Sequence, residues 1–266
     1  MNFLIIKCGG SIIDKLPDNF YDNIAAIQKQ GDWKPIIVHG GGKLINELLE
    51  QTGVKPEFVD GLRVTTEEVL DVVEMALSGA VNKFLVRKLM SRTDAYGVSG
   101  LDGKLLYAEP VANADKLGLV GTVTEVNTAL IEQIVSQDNI PVISPLAGGE
   151  GNSRFNINAD LAASAIARAL NAELCFISDI PGIYRQVNGQ KQMLTNVTDS
   201  ELKQMIAEGF IKDGMIPKVR AALEALEHGA GKVTIVNGLA DDSLLQLVEG
   251  KVAGTTITLS EEAHHV

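Results

Sequence analysis

The sequence predicts an α/β protein, a three-layer αβα sandwich around a mainly parallel open sheet. Short runs rich in valine and isoleucine alternate with segments whose apolar residues recur at helical spacing, which is typical of crossover units joining parallel strands. The runs are continuously apolar, so helices are expected on both faces of the sheet. Glycine-rich turns follow several runs, where a parallel sheet exposes backbone groups to ligands. Strands are predicted at residues 3–6, 36–38, 141–144, 174–177, 233–236 and 256–259.

Length, charge and cysteine content limit the classes of function. The 266 residues are 45% hydrophobic, which is enough for a large core. The net charge of −11 argues against nucleic acid or an anionic membrane as a partner, since both bind broad positive surfaces. No apolar run approaches the roughly 18 residues of a membrane span. Cys8 and Cys175 lack partners at zinc-ligand spacing, and the adjacent His264 and His265 supply too few ligands for a metal. We expect a protein of the reducing cytoplasm.

The first two strands each end in a glycine-rich turn suited to anions. Lys7-Cys8-Gly9-Gly10 follows the first strand, so one ammonium group and two glycine amides meet at one point. His39-Gly40-Gly41-Gly42 follows the second strand and leads into a helix predicted over residues 43–52, whose N-terminal amides face the same region. Two such turns indicate two anionic ligands. We interpret His39 as a structural residue rather than a base.

The middle of the chain predicts a long helix and an irregular insert. Residues 67–92 carry a broad apolar stripe, which fits either a subunit interface or ordinary core packing; it comprises Val69, Val72, Val73, Met75 and Ala76. Residues 98–127 are rich in glycine and mixed in polarity, which indicates hairpins that cover part of the sheet edge. We place a boundary between an N-terminal lobe, 1–170, and a C-terminal lobe, 171–266.

Polar residues cluster before a helix predicted over residues 160–171. Asn156 and Asn158 fall on one side of an extended segment, and Asp160 is expected at or near the N-cap. Such residues usually only cap helices. Here two aligned amides stand beside a carboxylate and the glycine-rich stretch 148–151, and this favours a binding role.

A lysine and a Pro-Gly turn stand out in the C-terminal part. Lys218 lies in the first turn of a helix predicted over residues 217–227, where the helix dipole disfavours a cation. Either the lysine is simply exposed at the surface, or an anion lies beside it, a bound phosphate or a carboxylate such as Asp160. The turn over residues 179–184 follows a buried strand, where backbone groups become available to a ligand.

Several familiar signatures are absent from the sequence. It contains no GxxxxGK[ST] and no complete GxGxxG, so the P-loop and Rossmann interpretations lose their main support. It also contains no GxSxG, the nucleophile elbow expected of a Ser-His-Asp hydrolase.

Seven motifs, in order along nearly the whole chain, resemble those of the amino acid kinase family: Lys7-Cys8-Gly9-Gly10, His39-Gly40-Gly41-Gly42, Gly61-Leu62-Arg63-Val64-Thr65, Gly121-Thr122-Val123-Thr124-Glu125-Val126-Asn127, Asn156-Ile157-Asn158-Ala159-Asp160, Ser178-Asp179-Ile180-Pro181-Gly182 and Gly214-Met215-Ile216-Pro217-Lys218. The resemblance implies the carbamate kinase-like fold. The third and fourth motifs resemble those of family members that phosphorylate the side-chain carboxylate of N-acetyl-L-glutamate with ATP, an early step of arginine biosynthesis.

The resemblance also implies roles for individual residues. The catalytic set would be Lys7 and Lys218, which stabilise the phosphoryl group in transfer, and Asp160, which positions both lysines. Acceptor binding would fall to Gly41, Gly42, Arg63 and Asn156. The nucleotide would lie along Gly9, Gly10, Asn158, Asp179, Ile180, Pro181, Gly182, Ile183, Tyr184, Phe210, Ile211 and Lys212. ATP would be accompanied by Mg²⁺ bound through its phosphates, with no metal site on the protein.

Alternatives remain within and outside this function. Kinases for carbamate, uridylate, aspartate or an aminoadipate-type acceptor share the nucleotide motifs, and a non-catalytic ligand sensor could share the fold. Arginine-inhibited relatives carry an additional N-terminal helix before the first strand. Its absence from this sequence predicts an arginine-insensitive homodimer.

Overall fold

The computed structural model of the protein describes residues 2–187, 190–211 and 215–260. The predicted nucleotide-side residue Lys212 and the pair His264 and His265 lie outside the described residues. The strands are β1 (Asn2–Cys8), β2 (Trp33–His39), β3 (Phe58–Val59), β4 (Leu62–Arg63), β5 (Ala95–Ser99), β6 (Leu106–Pro110), β7 (Gly121–Val126), β8 (Ile140–Ser144), β9 (Leu146–Gly148), β10 (Arg154–Asn156), β11 (Glu173–Ser178), β12 (Tyr184–Val187), β13 (Gln190–Met193), β14 (Asn196–Thr198), β15 (Lys232–Asn237) and β16 (Gly254–Thr258).

The helices occupy the segments between the strands, as the periodicity predicts. They are α1 (Asp18–Gln30), α2 (Gly42–Gln51), α3 (Glu67–Glu74), α4 (Asn82–Met90), α5 (Ala114–Leu117), α6 (Thr128–Ser136), α7 (Ala159–Leu170), α8 (Asp199–Ala207), α9 (Ile216–Glu227) and α10 (Ser243–Val248). Within the described ranges, none of these helices has the length and apolar character needed to cross a membrane.

The main sheet has eight strands in the order β14-β16-β15-β11-β1-β2-β8-β5. Neighbouring strands are parallel except β15 and β16, which are antiparallel. All six predicted strands are confirmed in this sheet. The two edge strands were not predicted, because β5 is only half apolar and β14 has three residues.

The sheet is covered on both faces, which confirms the three-layer sandwich. Side chains of β1 alternate between two cores, as the pleat of a strand requires. Leu4 and Ile6 pack with residues of α1, α4 and α10, whereas Phe3 and Ile5 belong to the core formed with α6, α7 and α9. Both glycine-rich turns follow the carboxyl ends of central strands.

The predicted long helix is interrupted. α3 continues through a π-helical segment, Met75–Val81, into α4. Four members of the apolar stripe are buried within the same chain, and only Met75, 61% exposed, points to solvent. Core packing therefore accounts for most of the stripe.

The insert differs in detail from the hairpins that were predicted. β6 and β7 form an antiparallel ladder, but residues 111–120, which include α5, connect them instead of a tight turn. Residues 102–104 form a short 3₁₀ turn. The insert packs over α7 and joins the core on that face through Leu106, Ala108 and Val123, so it covers a face rather than the sheet edge.

Candidate active site

A cavity of about 280 Å³ lies where β1 and β2 end. β1 has β11 on one side and β2 on the other, and such a change of direction in strand order is where open α/β sheets bind ligands. The predicted site residues that line this cavity are Lys7, Gly9, Gly10, Gly41, Gly42, Arg63, Asn156, Asn158 and Asp160.

The two glycine turns pack against each other without side chains between them. A Cβ atom on Gly10 would lie 2.7 Å from the amide nitrogen of Gly42 and 2.8 Å from that of Gly41, so only glycine fits. The Gly40 amide donates to the Cys8 carbonyl at 2.9 Å and ties the second turn to β1. Within the described ranges, no backbone carbonyl accepts a hydrogen bond from the amides of Gly9, Gly10 or Gly41. These donors remain available to an anion.

Lys7 and Asp160 form an ion pair in the cavity. The Lys7 Nζ lies 2.5 Å from the Asp160 Oδ1, and their side chains are 14% and 21% exposed. Asp160 is the second residue of α7, and the N-cap is Asn158, whose Oδ1 accepts from the amides of Asp160 at 2.8 Å and Leu161 at 3.3 Å. Capping therefore occupies the oxygen of Asn158, a residue that also lines the cavity.

Arg63 presents an unused donor. Its Nη2 donates to the Asn46 Oδ1 at 2.6 Å, and the Phe58 ring centroid lies 4.7 Å from its Cζ. The Nη1 atom is buried and has no hydrogen-bond partner among the described residues. Burial lowers the pKa of Arg63, yet a guanidinium remains protonated in proteins. A buried donor on a charged group without a partner is costly, and a carboxylate would satisfy it.

Asn156 is oriented by a buried threonine. The Asn156 Nδ2 donates to the Thr65 Oγ1 at 3.1 Å, and that hydroxyl donates to the Arg63 carbonyl at 2.9 Å. Thr65 is fully buried. This arrangement engages the NH₂ group of Asn156 with Thr65 and leaves its Oδ1 as an acceptor.

Gly9, Gly10 and Asn158, predicted on the nucleotide side, line this cavity, whereas the described nucleotide-side residues after β11 do not. Lys218 pairs with Asp179, so the anion expected beside it is present but is not Asp160. The turn after β11 is held by Thr255, whose Oγ1 accepts from the Ile183 amide at 2.8 Å. The side chains of Ile183 and Ile211 are buried in the core, so only their backbone can face a nucleotide.

Several residues that shape the site were not predicted from the sequence. Phe58 and Leu77 line the cavity, Asn46 and Thr65 orient predicted ligand-binding groups, and Thr255 fixes the turn. Asn46 could have been found, because it lies four residues after Gly42 in α2 and so shares its face. Thr65 could also have been found, because it is the last residue of the motif Gly61-Leu62-Arg63-Val64-Thr65.

Comparisons with known proteins agree with this geometry. The family model described as the amino acid kinase family matches residues 2–237. An acetylglutamate kinase from Oceanobacillus iheyensis is 44% identical over 99% of this chain and 100% of its own. One from Brevibacillus brevis is 45% identical over 97% of both chains.

Solved structures share the fold. The protein smu.665 from Streptococcus mutans has a TM-score of 0.80 at 30% identity and covers 97% of this chain and 99% of its own. Carbamate kinase from Giardia lamblia, bound to AMP-PNP, has a TM-score of 0.69 at 18% identity, with 97% and 99% covered. Both the carbamate kinase-like fold and the resemblance to acetylglutamate kinases are thus confirmed. The chain belongs to the amino acid kinase family.

Proposed function

We propose that the protein transfers the γ-phosphoryl group of ATP to the side-chain carboxylate of N-acetyl-L-glutamate, giving N-acetyl-L-glutamyl 5-phosphate in an early step of arginine biosynthesis. The similarity to acetylglutamate kinases over the full chain supports this activity. The observation that carries it is the cavity that combines the Lys7–Asp160 pair with the Arg63 Nη1 donor, which has no hydrogen-bond partner in the described part of the chain. A dicarboxylate acceptor would supply one carboxylate for Arg63 and one for Lys7.

The acceptor is proposed to lie between Arg63 and Lys7. Arg63 would bind the α-carboxylate through its planar fork, which lysine cannot reproduce. The Oδ1 of Asn156 and the amides of Gly41 and Gly42 would hold the remaining polar groups. The side-chain carboxylate would then point toward Lys7, at the junction of the two glycine turns.

Catalysis would consist of alignment and charge neutralisation. The acceptor oxygen forms a bond to the γ-phosphorus while the bond from phosphorus to the ADP oxygen breaks, and charge spreads over the equatorial oxygens. Lys7, held by Asp160, and the amides of Gly9 and Gly10 would stabilise that charge from one side. We propose that Lys218 acts from the nucleotide side after exchanging Asp179 for phosphate oxygens.

ATP is proposed to lie along Gly9, Gly10, Asn158, the turn over residues 179–184 and the segment that includes Phe210. Among the described residues, no group of three or more His, Cys, Asp or Glu side chains is arranged to hold a metal ion. We therefore propose that Mg²⁺ arrives on the nucleotide phosphates, a mode that suits an ion which keeps several waters. When bound, it neutralises phosphate charge.

We further propose that the N-terminal lobe, 1–170, binds the acceptor and that the C-terminal lobe, 171–266, binds ATP. The protein is proposed to be a cytoplasmic homodimer formed through its N-terminal lobes. The exposed Met75 begins the π-helical segment, the exposed Met90 ends α4, and Tyr96 is exposed on the edge strand β5. Val73 is fully buried within the chain, so Met75→Glu is the informative substitution. A loss of dimer mass in sedimentation would support this surface, and an unchanged mass would contradict it.

The test of the activity is chemical trapping. Purified protein is incubated with Mg-ATP, hydroxylamine and either N-acetylglutamate, N-acetylaspartate, N-acetyl-aminoadipate or unacetylated glutamate. We expect a hydroxamate with N-acetylglutamate, formed by capture of the acyl phosphate. Faster formation with another acceptor would reassign the substrate, and no hydroxamate with any acceptor would favour a non-catalytic sensor.

A further inference from the structure

The π-helical segment Met75–Val81 lies directly against the second glycine turn. A Cβ atom on Gly41 would be 2.7 Å from the Leu77 Cδ2 and 3.2 Å from the Val81 Cγ2. Leu77 is 2% exposed and also lines the cavity. π-helical turns are rare and are frequently found at functional sites. Here the π-helical turn packs two apolar side chains against a glycine that lines the cavity.

The end of this segment is tied to the main sheet by Asn82, the first residue of α4. Asn82 is fully buried, and its Nδ2 donates to the carbonyls of Val142 at 2.8 Å and Val98 at 3.3 Å. The same nitrogen lies 3.2 Å from the His39 Nε2, so its two hydrogens are shared among three acceptors. A second link, between Ser78 and Ser144 at 2.9 Å, joins the segment to the carboxyl end of β8.

His39 connects Asn82 to the glycine turn. It is the last residue of β2 and is fully buried. Burial lowers its pKa to about 4, so the imidazole is neutral near pH 7. The Nδ1 lies 3.2 Å from the Gly40 carbonyl. Both contacts are satisfied by the tautomer in which Nδ1–H donates to Gly40 and Nε2 accepts from Asn82.

We propose that Asn82 and His39 are positioning residues that hold the Gly40–Gly42 turn with its amides directed into the acceptor cavity. Leu77 and Val81 of the π-helical segment support the turn by packing against Gly41. The inference rests on the proposed function, because it assigns the turn to acceptor binding. Consecutive glycines have wide conformational freedom, so the ligand would otherwise have to order them on binding. A fixed turn removes that cost.

Kinetics separates positioning from a merely structural role. His39→Leu removes both polar contacts, and we expect the acceptor KM to rise about 3- to 10-fold, as the loss of one or two hydrogen bonds predicts, with the KM for ATP unchanged. His39→Asn keeps a donor near Gly40 and should recover part of the effect. Thr234→Val is the matched control, since it removes a buried hydroxyl contact between β15 and β16, away from the turn. An acceptor KM in His39→Leu equal to that of the control would overturn the proposal.

A second measurement does not depend on activity. The Gly40 amide, bonded to the Cys8 carbonyl, reports the order of the turn by hydrogen exchange in the unliganded protein. We expect exchange several-fold faster in His39→Leu and Asn82→Ala, but not in Thr234→Val. If the buried polar variants do not fold, Leu77→Ala is measured instead, because it leaves the polar contacts intact. Faster exchange of the Gly40 amide is expected there too, since Leu77 packs against Gly41. Should the wild type phosphorylate no acceptor, the proposed function fails, while unchanged Gly40 exchange in these variants would refute the positioning role itself.

Discussion

The two lysines assigned to catalysis occupy different kinds of environment. Lys7 lies inside the cavity, 14% exposed, and pairs with Asp160 among the residues assigned to the acceptor. Lys218 is 31% exposed and pairs with Asp179, which is itself 52% exposed. The acceptor side is thus assembled before a ligand binds. On the proposed nucleotide side, Lys218 is paired with a carboxylate that the phosphate would have to displace.

The difference follows from how each side is built. The proposed acceptor side begins at the carboxyl ends of adjacent parallel strands, where the Gly40–Gly42 turn packs through backbone atoms against Gly10 of the first turn. The nucleotide side combines a turn after β11 with the start of α9, and the turn is held by Thr255 of β16. Pairs between exposed side chains contribute little to stability and exchange readily. Lys218 can therefore change partners at small cost.

The largest effect is expected from removing either lysine. Lys7→Ala or Lys218→Ala should reduce turnover by a factor on the order of 100 to 1,000, because each removes a charge that stabilises the transferring group. Lys218→Ala should also raise the KM for ATP, since its proposed partner is the nucleotide. The measurement is steady-state kinetics on variants whose fold is checked by circular dichroism.

The control for these variants is Lys43→Ala. Lys43 lies in the first turn of α2 near the cavity, but its exposed side chain pairs with Asp14 at 3.2 Å. Its removal should leave turnover unchanged. If Lys218→Ala behaved like this control, the model of two converging cations would be wrong and the acceptor side alone would carry the charge stabilisation.

Removing Arg63 is expected to have an intermediate effect, limited to binding of the acceptor. Arg63→Ala should raise the acceptor KM about 10- to 100-fold with little change in turnover, because a charge-assisted contact common to ground and transition states is lost. Arg63→Lys should not restore binding, since an ammonium cannot reproduce the planar fork.

Arg154→Ala provides the comparison for Arg63. Arg154 is a nearby arginine that pairs with Glu67, Asp71 and Glu74 on the surface of α3. Its substitution should leave both KM values unchanged. Equal effects of the two substitutions would indicate a general loss of positive charge rather than a specific acceptor contact.

The sequence was sufficient for the parts of the molecule that depend on local patterns. Apolar runs identified six of the eight strands of the main sheet, and the motifs after β1, β2 and β11 indicated which edge would hold the ligands. The partner of Lys218 could not be predicted, because it depends on the distance between the turn after β11 and the start of α9. The role of Asn82 was also hidden. A buried carboxamide that links three strands of the main sheet looks, in sequence, like any polar residue in a helix.

The smallest effect is expected from Asp179→Asn, which tests the partner exchange directly. The Lys218 hydrogen bond lowers the pKa of Asp179, so the stabilisation from the pair is present above the ordinary aspartate pKa and is lost as pH falls through the lower folded value. The pair is exposed, and its loss should cost less than about 1 kcal/mol at pH 7. The KM for ATP should fall by about two- to threefold, within the energy of such a pair, because phosphate no longer competes with a carboxylate for Lys218. A rise in the KM for ATP would mean that the Asp179 side chain itself contacts the nucleotide or its metal ion, and the contrast between the preassembled acceptor side and the exchanging nucleotide side would then fail.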